Sequence, residues 1–273
     1  MRADKKSEAG AVFLPRDRKI CETLLGSAAK RGDKKKPLAE LAVSTGRYFF
    51  GAPYQPQTLE GEGSETLVVN LRTFDCMTFV ESVIALALTI KSGKAAFPAY
   101  LATLKKIRYR KGRIDGYPSR LHYFTDWLWD NGRMGFVSDI TSSSGGVPVK
   151  KSLEEITRSR NDHPPLQDDT AFRKMLKVEA VCSRRTFHFL PKENWREAEG
   201  RIENGDIIAI TSNREGIDVI HVGFAVRINK KVRFLHASGK SGAVVLSTVT
   251  LNRYLQERRS RTGVIVARLQ GRA

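Results

Sequence analysis

One cysteine and two histidines stand where they could carry out acyl transfer. Cys76 lies in Asn70-Leu71-Arg72-Thr73-Phe74-Asp75-Cys76-Met77-Thr78-Phe79-Val80-Glu81, where a polar turn gives way to an apolar run. Val80 to Ile90 holds no Gly or Pro and reads as a buried helix. Asp75 is a good N-cap residue, which puts Cys76 at the first helical position. Phe74 and Phe79 have the spacing of a hydrophobic staple. A thiol there faces unpaired backbone N–H groups and the positive end of the helix dipole. Both favour the thiolate and predict a pKa below the free value of about 8.5. The competing reading is an inert, buried cysteine acting as a small hydrophobe.

A thiolate nucleophile needs a base nearby. Of five histidines, His221 and His236 fall in consecutive predicted strands. In Val219–Ile228, Ile220, Val222, Phe224 and Val226 form a large apolar face, and His221, Gly223 and Ala225 form the other. The small residues predict room for the helix bearing Cys76. In Lys231–Ser238, His236 shares a face with Val232 and Phe234. A hairpin turning through Arg227–Lys230 would pair 221 with 236, 223 with 234 and 225 with 232, bringing both imidazoles to one face. Cys76 would then be the nucleophile, His221 the base and His236 the group that orients His221. Two ordinary strand histidines, each satisfied by backbone, is the plainer reading. A Cys/His/His zinc site has the ligand types but lacks the close paired spacing of structural sites.

The elements that must position these residues run from helices to strands. Residues 1–12 read as a frayed polar terminus, and 13–273 as a single catalytic domain. Helices are predicted near 16–30 and 37–47, a Gly- and Pro-rich loop over 50–64, then the Cys76 helix. Residues 94–200 read as a largely helical insertion, with helices near 96–108, 119–131 and 168–184. From Gly205 the period becomes two, with strands at 206–211, 219–228, 231–238, 243–247 and 263–269 and a short helix at 251–258. Helices followed by a run of strands argue for an α+β fold with an antiparallel sheet.

The 273-residue chain is 41% hydrophobic and carries a net charge of +18, which suits an anionic partner such as nucleic acid, a membrane or a wall polymer. Nucleic acid is disfavoured because there is no zinc-finger spacing, aromatic RNA-binding motif or clear helix-turn-helix. No stretch approaches the roughly 18 apolar residues of a transmembrane segment. The first residues lack the apolar core of a signal peptide, although a removed signal would look the same. Three cysteines, Cys21, Cys76 and Cys182, leave at least one free, and a Cys21–Cys182 disulfide stays open.

Three stretches together resemble the N-acetylmuramoyl-L-alanine amidase-like family within the NlpC-type, papain-like cysteine cell-wall hydrolases. They are Gly51-Ala52-Pro53-Tyr54 through Val69-Asn70-Leu71 to Phe74-Asp75-Cys76, then Ile107-Arg108-Tyr109 through Ser119-Arg120-Leu121-His122-Tyr123-Phe124 to Asp126-Trp127, and Gly205-Asp206-Ile207-Ile208 through His221-Val222-Gly223 to Leu235-His236-Ala237-Ser238. The resemblance implies a papain-like α+β fold, with the Cys-bearing helix packed on a C-terminal antiparallel sheet and the insertion forming the substrate pocket. It implies Cys76 as nucleophile, His221 as base and His236 as third member, with no metal or other cofactor. Tyr54 matches an active-site tyrosine that could help stabilise an oxyanion; a packed loop tyrosine is the alternative. Arg120, His122 and Tyr123 are expected to contact substrate, because peptidoglycan peptides carry carboxylates and Arg binds them bidentately. A capped surface helix with Tyr123 packed in its core is the alternative. Glu81 reads equally as a substrate-side contact or a buried carboxylate paired with a base. The implied reaction cleaves muropeptides, including anhydro forms, between N-acetylmuramic acid and L-alanine. Cutting within the stem peptide, or wall binding without catalysis, are the other readings. The expected location is the periplasm or cell envelope.

Overall fold

The computed structural model of the protein describes residues 6–8, 10–60 and 63–271. Helix α1 (Pro15–Lys30) begins with a proline at its first position, where a missing N–H costs nothing. Its buried Asp17 accepts the backbone N–H of Leu14 and of Leu71, each at 2.9 Å, and the Arg72 guanidinium at 2.9 Å. One carboxylate thus ties the start of α1 to the turn leading to Cys76. Helix α2 (Leu38–Tyr48) follows. Helix α3 (Cys76–Ser92) is buried from Thr78 through Ile90, which is why its sequence is apolar on all sides. Then come α4 (Phe97–Arg108), α5 (Phe124–Arg133), α6 (Glu155–Arg158), α7 (Asp169–Arg184), α8 (Trp195–Ala198) and α9 (Leu251–Gln256). No helix is long and apolar enough to cross a membrane, among the described residues.

Strands β1 (Lys6–Glu8), β2 (Ala11–Phe13) and β3 (Leu67–Val68) form a small sheet. The large antiparallel sheet contains β4 (Val137–Asp139), β5 (Val147–Val149), β6 (Phe187–Pro191), β7 (Ile207–Ser212), β8 (Val219–Ile228), β9 (Lys231–Ser238), β10 (Ala243–Leu246) and β11 (Arg261–Leu269). Its order is β10-β9-β8-β7-β11-β6-β5, with β4 also pairing β11. Val222, Phe224 and Leu235 on one face pack in the core containing α2, α3 and α4. Ala225, Phe234, Ile208 and Ile210 on the other pack with Trp195, Leu251 and Leu255. The mixed α+β reading with an antiparallel sheet is therefore what the chain adopts.

Two expectations change. Residues 6–8 and 11–13 are strands rather than frayed chain, held by Ala11 and Phe13 in the core; positions 1–5 and 9 lie outside the described residues. The 94–200 segment carries helices α4 to α8 and also adds β4, β5 and β6 to the main sheet. The helix expected near 119–131 starts at Phe124, because Tyr117–Ser119 forms a 3-10 turn and Arg120 bridges Tyr109 in extended backbone.

Candidate active site

The start of α3 is built by local chemistry. The Asp75 carboxylate accepts the Thr78 N–H at 2.8 Å, and the Thr78 hydroxyl accepts the Asp75 N–H at 3.0 Å, a reciprocal cap. Phe74 and Phe79 meet edge to face at 5.8 Å, as the staple spacing predicts. Phe79 in turn meets Phe224 of β8 at 6.0 Å. Helix α3 therefore lies on the large apolar face of β8, not on the small face with His221. Burying Phe and Val against an apolar helix removes more surface from water than lodging a helix over Gly and Ala.

The room beside Gly223 is filled by the neighbouring strand. A Cβ on Gly223 would stand 2.5 Å from the Leu235 carbonyl oxygen and 2.8 Å from both His236 Cβ and the Phe234 ring. The hairpin register also differs from that expected. Asn229 and Lys230, with φ of 49° and 66°, make a two-residue turn, and Ile228 pairs Lys231, Val226 pairs Arg233 and Phe224 pairs Leu235. The slip is two residues, so every side chain keeps its face. The imidazoles still meet: His221 Nε2 lies 2.5 Å from His236 Nδ1, with ring planes at 83°. His236 stacks on Phe234 at 4.5 Å and meets the edge of Tyr254 at 5.6 Å. A bulge at Ile220, where β8 slips against β7, precedes His221.

Cys76 is half-buried. Burial pushes its thiol up to about 12, the Asp75 charge adds to this, and the backbone N–H groups of Val222, Cys76 and Met77 pull the other way. The expected thiolate is thus corrected: desolvation outweighs the helix start. The Val222 N–H beside the sulfur brings the neighbouring His221 backbone to the site. No hydrogen bond joins the thiol to either imidazole among the described residues. Burial, then the Arg261 charge, lowers His221 to about 4; burial, His221 and Arg261 lower His236 to about 3. Both rings are neutral at pH 7.

Tyr54 reaches the same place from the loop after α2. Its strand-like bridge to Phe74 and its N–H to the Gly242 carbonyl, at 2.8 Å, fix the backbone, and its ring lies over Gly239. Burial, then the Cys76 and Asp75 charges, raises its phenol pKa.

The other expected site residues have internal partners. Glu81 is buried and bonds the buried Arg108 guanidinium at 2.6 Å, while Arg108 also donates to the Val68 carbonyl. This is the structural alternative for Glu81. Tyr123 is buried and donates to Glu179 at 2.6 Å, which makes it a packing residue of the insertion. His122 Nε2 lies 3.0 Å from the Tyr117 carbonyl, and burial, then Arg120, lowers its pKa to about 3. Arg120 is buried, donates to Glu60 at 2.9 Å and lies over the Tyr117 ring at 4.7 Å. Arg120 ties the insertion to Glu60, while the partners of His122 and Tyr123 lie within the insertion.

Cys21 and Cys182 are both free and buried, so the disulfide does not form. No three His, Cys, Asp or Glu side chains gather as a metal-binding group among the described residues, so the zinc reading has no ligand cluster. Two residues around the histidines were not singled out from sequence. Arg261 stacks on the Tyr254 ring at 3.7 Å and bonds the Tyr254 carbonyl, and both lie beside His236. Arg261 reads in sequence only as part of the Arg258–Arg261 basic cluster, and a bulge in β11 decides where it points.

Solved structures with this architecture include one named as an amidase. A Bacteroides uniformis N-acetylmuramoyl-L-alanine amidase shares 36% identity at a TM-score of 0.79, covering 85% of this chain and 99% of that one. A Bacteroides fragilis protein described as a putative xylanase shares 37% identity at a TM-score of 0.77, covering 83% and 99%. A Legionella pneumophila protein at 23% identity and a TM-score of 0.67 shares the fold over 93% of each chain. No curated protein matches. The family described as AmiA-like, N-acetylmuramoyl-L-alanine amidase-like, matches residues 44–264, which span Tyr54, Cys76, His221 and His236. With that match over most of its length, the chain belongs to the AmiA-like family of N-acetylmuramoyl-L-alanine amidase-like hydrolases.

Proposed function

We propose that this protein is a cysteine amidase of the papain-like, NlpC type, which hydrolyses the amide between the lactyl group of N-acetylmuramic acid and L-alanine in peptidoglycan fragments such as anhydro-muropeptides. The observation that carries the reading is the coupled imidazole pair. His221 Nε2 is engaged by His236 Nδ1 at 2.5 Å, which leaves His221 Nδ1 for the thiol. The family match supports the bond that is cut.

The tautomers follow from these roles. His221 carries its proton on Nε2 and donates to His236 Nδ1, so His236 carries its own on Nε2. The resting pair is then a thiol and a neutral imidazole. Cys76 Sγ attacks the lactyl carbonyl as its proton passes to His221 Nδ1, and His236 accepts from the resulting imidazolium. The Cys76 N–H, with the Tyr54 hydroxyl, stabilises the oxyanion. His221 returns the proton to the L-alanine nitrogen as the C–N bond breaks. Water, losing a proton to His221, then attacks the thioester; collapse releases the lactyl carboxylate and the thiol. The net charge of +18 suits work in the envelope beside anionic polymers.

The test is incubation of wild type and Cys76→Ala with anhydro-muramyl tetrapeptide, with products identified by mass. Free tetrapeptide and intact amino sugar from wild type alone are expected. Release of a dipeptide would move the cut into the stem, and product from both proteins would remove Cys76 as nucleophile.

A further inference from the structure

Behind the imidazole pair lies a cavity of about 350 Å³, formed by the β9–β10 turn, β10, α9 and the start of β11. His236, Tyr254 and Arg261 stand on its wall. His221 Nε2 occupies His236 Nδ1, and His236 Nε2 has no partner among the described residues. In the tautomer that the amidase reading requires, that nitrogen carries a hydrogen. His236 is 3% exposed, and a buried N–H without an acceptor is costly.

Arg261 sets the charge of this cavity. Among the described residues three arginines are buried. Arg108 bonds Glu81 at 2.6 Å, and Arg120 bonds Glu60 at 2.9 Å. Arg261, 9% exposed, has no carboxylate so close; Glu257 stands 3.8 Å away and is exposed. Its Nη1 bonds the Tyr254 carbonyl and its guanidinium lies over the Tyr254 ring at 3.7 Å. Its Nε and Nη2 have no partner among the described residues. Exposed Lys240 and Arg258 add two cations at the rim, so the wall holds three cations and one carboxylate. Burial holds the Arg261 pKa below its ordinary value, and the Arg258 charge adds to this.

An unmatched guanidinium and an orphan imidazole N–H thus open into one cavity. Water would satisfy the N–H but not the charge, and an apolar ligand would satisfy neither. A carboxylate does both, because its two oxygens accept from an Arg fork and from a neighbouring N–H. The Ser238 hydroxyl accepts the Ser241 N–H at 3.1 Å and keeps its own proton for the same ligand. The volume is at the small end of ligand sites, so the anion is small. Cys76 and His221 are absent from this wall, so the ligand is not the scissile part of a substrate.

We propose that this cavity binds a small free carboxylate between Arg261 and His236 Nε2, and that the bound anion supports the imidazolium formed on His221 during turnover. The anion serves His236 as His236 serves His221, accepting the outer N–H of a ring beside developing charge. Arg261 is then a positioning residue, acting through the anion and His236. The effect on turnover and the His236 tautomer rest on the amidase reading; the unmatched guanidinium does not.

The experiment titrates the full chain with sodium acetate at pH 7, with ionic strength held by sodium chloride. It follows the His236 Cε1–H NMR signal, assigned with His236→Gln. A saturable shift is expected. Arg261→Gln is expected to weaken binding about tenfold or more, the loss of a charged hydrogen bond. Lys240→Ala/Arg258→Ala, substitutions at two exposed positions, is expected to weaken it severalfold with the fold intact, and decides the matter if Arg261→Gln does not fold. With anhydro-muropeptide, acetate is expected to raise kcat severalfold at unchanged KM. No saturable shift, or equal affinity in the folded variants, would overturn the site. A rise in KM with kcat unchanged would put the cavity in the path of the substrate and overturn its separate role. A saturable shift with no turnover, with or without acetate, would sink the amidase reading and leave the anion site standing.

Discussion

Gly223→Ala tests how the histidine pair is assembled. The added Cβ would stand 2.5 Å from the Leu235 oxygen and 2.8 Å from His236 Cβ, where ordinary contact begins at 3.4 Å. Strand β9 must therefore retreat by about 0.6 to 0.9 Å at the residue that engages His221. The 2.5 Å contact between the rings would open past 3.0 Å and lose its alignment. Overpacking of this kind costs about 1–3 kcal/mol, which corresponds to a fall in Tm of roughly 2–4 °C per kcal/mol. A displacement near 1 Å in a catalytic group costs about 10²-fold in rate. The assay is kcat/KM on anhydro-muropeptide at a temperature where thermal unfolding shows the variant folded. The expected result is a loss of about 10²-fold, far more than the unfolded fraction explains. A folded variant with wild-type kcat/KM would refute the reasoning, since the imidazole contact would then carry no part of catalysis.

Four further outcomes are expected. With Cys76 pushed up to about 12, alkylation by iodoacetamide should be slow at pH 7 and rise about tenfold per pH unit; a fast rate, flat from pH 6 to 8, would mean a resting thiolate. His221 and His236 titrate near 4 and 3 when folded, below the usual 6.5, so the unfolded chain takes up protons first. Their contribution to stability is complete above pH 6.5 and lost as pH falls toward 4, which urea midpoints between pH 7 and 4 should show. Glu81→Ala leaves Arg108 buried without its carboxylate and should cost about 3–5 kcal/mol in urea unfolding; a change in KM with stability intact would restore Glu81 as a substrate contact. Tyr123→Phe should cost about 1 kcal/mol through the lost bond to Glu179 with KM unchanged, and a raised KM would count against its packing role.

Local signals read correctly where the causes are local. The Asp75 cap, the Phe74–Phe79 staple and the burial of α3 depend on residues within a turn or two of one another. The short strands β4 and β5, three residues each, show too little alternation to be seen, and they exist because β11 and β6 supply their partners. Arg120, His122 and Tyr123 read in sequence as ligand contacts because Arg and ring side chains suit carboxylates, and the fold gives each an internal partner. Their partners Glu60, Tyr117 and Glu179 include residues up to 60 positions away, a separation that no spacing rule reveals.

By itself the sequence determined that Cys76 opens a helix and that His221 and His236 share one face of a hairpin. The period of two preserved that face even though the turn, and hence the pairing, fell two residues from where it was expected. Only the tertiary structure decided that α3 lies on the opposite face, that Phe234 and His236 fill the space at Gly223, and that the thiol is held protonated. The reason is common to all three. Helix starts and strand faces are set by neighbours in the chain, whereas burial, desolvation and the choice of packing face depend on which distant apolar surfaces meet.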